Sequence, residues 1–579
     1  MARLDRLGPA KEIAQVGAVL GREFSHELLA AVSPLNEERL QHGLKQLVEA
    51  ELVYQRGLLP QAYYLFKHAL IQDTAYQSLL KSRRQQLHQQ IAHVLGERFP
   101  ETKETQPELL AHHYTEAGLI TQAIPYWQRA GERAVQHSAH AEAISHLTKG
   151  LELLMALPDT PERTQQELSL QLALGPVFMV TKSIGAVEVE SIYTRARELC
   201  QQIGETPQLF SALWGLRRFY ALRVNLKMVQ ELEEQLMRLA QSIQDPALLL
   251  ESYFARGTTS FWLGQIPFAK EYLEQSVALY DPQQHHSHAF LYGSDPAVSS
   301  HSYAALALWH LGYPNQALQE NKRSLALAQE LSHPFSLVYA LSSSAWVHQL
   351  RREAYAAQGQ IEKAIHLATE QGFPFWVAWG SIVRGWALAA QGPGKAGITQ
   401  ILQGLASHRA TGAELARPYF LALLAEAYGK VGQVEEGLAA LTEALTVVDK
   451  SGERFYEAEL YRLYGELTLQ EANQKSKGKS QKSKIETSSQ LLTPNPQAEA
   501  EAEACFHKAI EIARRQQAKS LELRAATSLA RLWQQQGKQK EAHQMLSEVY
   551  NWFTEGFDTK DLQEAKALLD SGSRVARPE

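Results

Sequence analysis

The sequence predicts an all-α protein: a solenoid of stacked helix pairs, preceded by a small domain that carries a β-hairpin. Three observations predict it. Seven times the 579-residue chain writes Gly-x-x-x-x-[Ala/Gly] between apolar stretches of helical period, at Gly118/Ala123, Gly264/Ala269, Gly312/Ala317, Gly359/Ala364, Gly392/Gly397, Gly432/Gly437 and Gly537/Ala542. Glycine tolerates the left-handed backbone where a first helix stops, and a small residue five positions on lets the second helix pack closely. Prolines 207, 246, 334, 374 and 418 recur near the start of each new pair, where a first-turn proline forfeits no helix hydrogen bond. Finally, the length exceeds what one compact core supports, which asks for an array or several domains.

Taken in order, residues 1–21 carry Arg3, Asp5, Arg6, Lys11 and Glu12 with no signal-peptide run, and read as a linker. Residues 22–100 read as a winged-helix-like domain. Stretches 27–32 and 40–48 are short and apolar-periodic, and 50–56 and 63–66 flank Gly57 and Pro60 as a hairpin. One long helix is predicted from about His68 to Arg98.

Residues 101–472 read as tetratricopeptide-like repeats. Around Gly432, Leu421, Leu424, Ala425 and Tyr428 precede the turn at helical spacing, and Gly437, Leu441 and Ala444 follow it. Leu110, Ala111, Tyr114, Gly118, Ala123, Trp127 and Ala130 give a second copy. The turn glycines from Gly264 to Gly432 lie 48, 47, 33 and 40 residues apart, so several helices exceed those of a 34-residue repeat. Residues 473–497 hold Lys475, Lys477, Lys479, Lys482 and Lys484 among Ser, Gln, Thr and Pro. Too little apolar surface is present there to fold, which predicts a disordered insertion inside an eighth unit. Residues 498–570 resume the repeats with Ala502, Phe506 and Ala509, and 571–579 read as a disordered tail.

The composition is that of a soluble protein, with 45% hydrophobic and 21% charged residues. A net charge of −6 offers no basic excess to neutralise phosphates, which argues against nucleic acid as a partner. No run of about 18 apolar residues occurs, so no membrane span is predicted. Cys200 and Cys505, some 300 residues apart, read as reduced thiols of a cytoplasmic protein.

No catalytic, cofactor-binding or metal-binding residue is predicted. Gly478-Lys479-Ser480 ends like a phosphate loop, but Asn473 stands where that loop needs its first glycine. Gly392-Pro-Gly-Lys-Ala396 occupies a repeat turn and lacks the following Ser or Thr. His285, His286 and His288 cluster in a polar stretch without further ligands on a rigid element.

Binding is the expected work of such an array, and tryptophans mark the candidate groove. Counted back from the turn glycines, Trp262 and His310 fall two residues before, Trp309 three, Trp386 six, and Trp346 and Trp379 thirteen. In a standard repeat these positions of the first helix face the concave groove, where large aromatic side chains supply contact area. The competing reading places the same side chains in the core between longer helices.

Several stretches carry a resemblance. Leu4-Asp-Arg-Leu-Gly-Pro-Ala-Lys-Glu-Ile-Ala-Gln15, Gly21-Arg-Glu-Phe24, Phe66-Lys-His-Ala-Leu-Ile-Gln-Asp-Thr-Ala-Tyr76, Trp376-Val-Ala-Trp-Gly380 and Trp552-Phe-Thr-Glu-Gly-Phe-Asp558 are among them. Together they resemble the winged-helix and tetratricopeptide region of large bacterial signal-transduction ATPases of the AAA/STAND type, many fused to class III adenylate/guanylate cyclase domains. The resemblance implies a non-catalytic sensor. Its repeat groove would bind a peptide, protein or small ligand, and its winged helix would relay that state to a separate ATPase or cyclase domain. In those ATPases a winged-helix histidine can contact nucleotide, and His68 is the matching position here. The chain opens where such an ATPase domain would have ended, so it reads as the regulatory half alone. Two alternatives stand beside this: a transcription regulator with a DNA-binding winged helix, and a fragment of a longer cyclase or ATPase. The first finds little support, because residues 40–47 offer only Lys45 after Arg39.

Overall fold

The computed structural model describes residues 8–204, 207–482 and 495–575. It is an all-α solenoid of helix pairs, with three short strands near the N-terminus. Two compact units divide the chain, residues 1–174 and 175–579.

In the first unit, residues expected as linker form the helix Pro9–Leu20. Ala10, Ile13 and Ala14 are almost fully buried, and the helix belongs to the same apolar core as Leu29, Leu44 and Phe66. The apolar period of 13, 16, 19 and 20, with Glu12 turned outward, explains why it packs instead of dangling. Strands β1 (Glu23–Ser25), β2 (Val53–Arg56) and β3 (Tyr63–Phe66) make an antiparallel sheet in the order β1-β3-β2. Phe24 lies opposite Tyr64, and Val53 opposite Phe66. The β2–β3 hairpin matches the sequence reading, but β1 is too short to display a period of two.

The single helix predicted over residues 68–98 is broken into Ala69–Gln77 and Lys81–Arg98. Ser78 Oγ donates to the Ala75 carbonyl (2.6 Å) and accepts from Gln15 Nε2 (2.8 Å), while Leu80 is extended. A serine that bonds back to its own helix competes with the next turn. Helix pairs then begin, with Pro107–Glu116 packed on Ile120–Gln136.

The second unit repeats one plan. First helices are buried almost all round; in Pro334–Leu350, 13 of 17 residues are buried. Second helices bury a stripe, as Ala357, Ile361, Ala364 and Ala368 do in Ala354–Glu370. Gly264, Gly312, Gly432 and Gly537 sit at left-handed turns. Gly359 does not: it lies inside Ala354–Glu370, and the turn is made by Arg352 (φ 62°), five residues before Ala357. Val224 and Gln517 make equivalent left-handed turns without glycine.

Successive first helices are Gln208–Leu222, Pro246–Trp262, Pro296–His310, Pro334–Leu350, Pro374–Gln391, Arg417–Val431, Glu457–Lys482 and Lys519–Gln535, before the terminal helix Lys560–Val575. The C-terminal ends of the first three meet the segment opening the pair five further on, and that of the fourth meets the helix Lys519–Gln535, four further on. Leu222 O accepts from the amides of Glu414 and Leu415 (2.9 and 3.1 Å), and Trp262 O from that of Arg454 (2.7 Å). Trp309 O accepts from Ser520 Oγ, and Leu350 O from Arg524. Helix ends leave carbonyls without partners, and here the returning superhelix supplies the donors. The inner face is therefore largely packed. Phe455 lies 5.0 Å from Phe261, 5.1 Å from Trp262 and 5.8 Å from Trp346, ring centre to ring centre.

The disorder predicted from residue 473 does not begin there. Glu457–Lys482 is one helix, tied to the preceding pair by Gln470 Nε2 on Gly429 O (2.8 Å) and Gln474 Nε2 on Gly432 O (3.2 Å). Residues 483–494 lie outside the described residues, and Asn495 caps the next helix, Pro496–Arg515. The terminal helix likewise runs through Val575, past the predicted start of a tail at 571; residues 576–579 lie outside the described residues.

Candidate functional site

Between the packed aromatic centre and the loop at Leu415, the concave side of the second unit keeps a cavity of about 960 Å³, its open mouth included. About 110 Å³ of it admits the centre of a water-sized sphere, room for a small molecule or the end of a chain. Five consecutive first helices build its wall, each with residues on one face. Gln208–Leu222 contributes Arg217 and Arg218; Pro246–Trp262 contributes Phe254, Thr258 and Trp262. Pro296–His310 contributes Tyr303 and Leu306; Pro334–Leu350 contributes Tyr339, Ser342 and Trp346; Pro374–Gln391 contributes Phe375, Trp376 and Trp379. Spacings of three and four along every helix are what one inward face requires.

Polar groups on this wall are ordered from behind. Arg217 donates to Glu233 (Nε, 2.9 Å), the Ala255 carbonyl (2.6 Å), Thr258 (2.6 Å) and Thr259 (2.7 Å), so its charge is matched. Trp262 Nε1 donates to the Tyr303 hydroxyl at 3.0 Å. Burial pushes the Tyr303 phenol up to about 12 and that of Tyr339 well above its ordinary value, so both stay neutral. Burial also lowers Arg218 from the usual guanidinium range.

Of the residues singled out in the sequence, Trp262, Trp346 and Trp379 line the cavity. Trp309, His310 and Trp386 lie elsewhere. Trp309 is buried under the Arg524 guanidinium, 4.9 Å from its ring centre. His310 is fully buried between Phe261 and Phe455, its Nδ1 on its own Leu306 carbonyl (2.8 Å). Trp386 Nε1 donates to Glu426 at 3.0 Å. Trp309 and His310 stand three and four residues after Leu306, on the same side of their helix, but at its C-terminal end Arg524, Phe261 and Phe455 pack over them. His68 stands exposed at the N-cap of Ala69–Gln77 and makes no side-chain cap. Arg218, Tyr303 and Tyr339 were missed. The signal for Arg218 was present: two arginines interrupt the apolar run Leu213-Trp-Gly-Leu-Arg-Arg-Phe-Tyr220.

A second cavity, between first helices nearer the C-terminus, is ionic. Arg462 pairs with Glu459 (2.8 Å) and Glu466 (2.6 Å), Arg524 with Asp561 (2.9 Å), and Arg352 with Glu564 (2.9 Å). These charges answer one another and tie the superhelix together. Among the described residues no cluster of three His, Cys, Asp or Glu could hold a metal ion. His288 of the histidine-rich stretch instead pairs with buried Glu251 (2.8 Å). No helix among the described residues is long and apolar enough to cross a membrane.

No family model matches the chain. An uncharacterized protein of Rhizobium meliloti (strain 1021) is 24% identical over 466 residues, covering 80% of this chain and 45% of that protein. The chain thus spans less than half the length of this curated relative. Among solved structures, a Rap protein complexed with competence and sporulation factor is similar at a TM-score of 0.42, with 11% identity, over 60% of this chain and 99% of that one. The APC/C hetero-tetramer Cut9–Hcn1 is similar at 0.40, with 12% identity, over 86% and 92%. A STAND signal-transduction ATPase with a tetratricopeptide repeat sensor, from Pyrococcus horikoshii, is similar at 0.34, with 12% identity, over 98% and 65%.

Proposed function

We propose that this chain is the non-catalytic sensing part of a signal-transduction ATPase or nucleotide cyclase, with a ligand held in the concave cavity of residues 175–575. The observation that carries the reading is the cavity itself. Its wall is built by five consecutive first helices, so a bound ligand would bias the curvature of half the array at once. The winged-helix-like sheet and helices of residues 22–100 would pass that state to an ATPase or cyclase domain. The sequence resemblance supports this relay, and so does the extra length of the curated relative.

The test is retention. Wild-type protein and the cavity-filling variant Ser343→Trp are equilibrated with a small-molecule and peptide extract, and retained compounds are identified by mass spectrometry. The reading expects a compound held by the wild type and absent from the variant; equal retention by both sinks it. The same polypeptide with Mg²⁺ and ATP or GTP is expected to show no turnover above buffer, and activity that co-purifies with it would reject the non-catalytic assignment.

A further inference from the structure

Hydrogen-bonding capacity on the cavity wall is lopsided. Among the described residues Arg218, adjacent to the fully matched Arg217, makes one hydrogen bond, from Nη1 to the Tyr292 carbonyl at 2.6 Å. Among the described residues no carboxylate lies within 4.0 Å of its guanidinium, although it has five N–H donors. On the same wall, the indole Nε1 atoms of Trp346, Trp376 and Trp379 and the hydroxyl of Ser342 are buried with no partner among the described residues. An indole nitrogen only donates, and a buried donor left unpaired is costly.

Apart from the Ser342 hydroxyl, the side-chain acceptors nearby are largely engaged. Thr258 and Thr259 serve Arg217, and the Tyr303 hydroxyl accepts from Trp262. A polyol, whose every hydroxyl brings a donor, therefore finds few acceptors. A cation meets an unmatched guanidinium. A dianionic phosphate calls for a second free positive charge, and Arg217 is held by Glu233. The rest of the wall, Phe254, Leu306 and Phe375 among it, is apolar.

Building on the sensor reading above, we propose that the cavity takes a small apolar carboxylate, with Arg218 as the charge partner of its carboxyl group. The carboxylate supplies two acceptor oxygens to a wall that carries unpaired donors and one uncompensated cation, and its apolar body covers the aromatic wall. A free organic acid and the C-terminus of a short apolar peptide share this chemistry.

Isothermal titration with defined probes tests it. The acids are 3-phenylpropionate and acetyl-Leu-Leu-Phe; the neutral controls are 3-phenylpropionamide and acetyl-Leu-Leu-Phe amide. The wild type is expected to bind an acid at least about tenfold more tightly than its amide, and the arm that binds identifies the source. Arg218→Gln should erase the preference for acid over amide, while Arg218→Lys keeps part of it. The wild-type comparison stands even where a variant fails to fold. Equal binding of acid and amide overturns the carboxylate and leaves the sensor reading in place. Absence of binding by either series at millimolar concentration also overturns it, whereas the sensor reading itself fails only in the retention experiment.

Discussion

Two neighbouring arginines on one helix face carry opposite expectations. Removing Arg217 leaves Glu233 buried without its cation, so Arg217→Ala is expected to cost about 3–5 kcal/mol in urea unfolding. Arg218→Gln removes a charge that has no carboxylate within 4.0 Å among the described residues and should change stability by less than about 1 kcal/mol. A second residue-scale prediction concerns His310, whose burial lowers it to about 4. Unfolded chain takes up this proton near pH 6.5, so between 6.5 and 4 the unfolded state binds more protons. The contribution of His310 is fully present above that window and is lost as pH falls through it, roughly 2 kcal/mol at pH 5. His310→Gln should therefore lose less stability between pH 7 and 5 than the wild type by about that amount, read from urea midpoints.

At the scale of elements, two glycines of one sequence pattern part company. Gly359 is mid-helix, and a Cβ there would meet nothing within 4 Å. Gly359→Ala is expected to stabilise by about 0.5–1 kcal/mol through helix propensity alone. At Gly397 a Cβ would stand 2.4 Å from the Gly385 carbonyl oxygen and 2.7 Å from the Ala389 amide nitrogen. Those are backbone atoms of the paired helix, so Gly397→Ala must separate the two helices and should cost about 1–3 kcal/mol or more. Matching signs for the two variants in equilibrium unfolding would mean the crossing is assigned wrongly.

The second unit as a whole departs from a simple solenoid. Ordinary repeat arrays are quasi-one-dimensional, each repeat touching only its neighbours, and can open piecewise. Here the early first helices also bind segments four or five pairs further on, and Phe455 sits where those turns meet. Residues 208–476 and 495–535 are expected to lose hydrogen-exchange protection in one cooperative step. Phe455→Ala should cost about 3–5 kcal/mol and split that step, as piecewise exchange along the array would report.

Helical period, turn residues and first-turn prolines are local, so the chain by itself determined an all-α array of helix pairs and the starts of Pro246–Trp262, Pro334–Leu350 and Pro374–Gln391. It also marked Trp262, Trp346 and Trp379 as inward aromatic side chains, although Gly359 gave Trp346 a wrong count from its turn. What it could not display is anything settled across distance. Arg352 adopts a left-handed turn that glycine would take freely, and ion pairs to Asp561 (3.3 Å) and Glu564 (2.9 Å), about 210 residues away, offset the strain. The break at Ser78 depends on Gln15 as well as Ala75, and the helix through Lys482 depends on carbonyls at Gly429 and Gly432. Which part of the concave face is filled by Phe455 and which stays open beside Arg218 was decided by the return of the superhelix upon itself. Spacing along one helix fixes which side chains share a face; only tertiary packing fixes what that face meets.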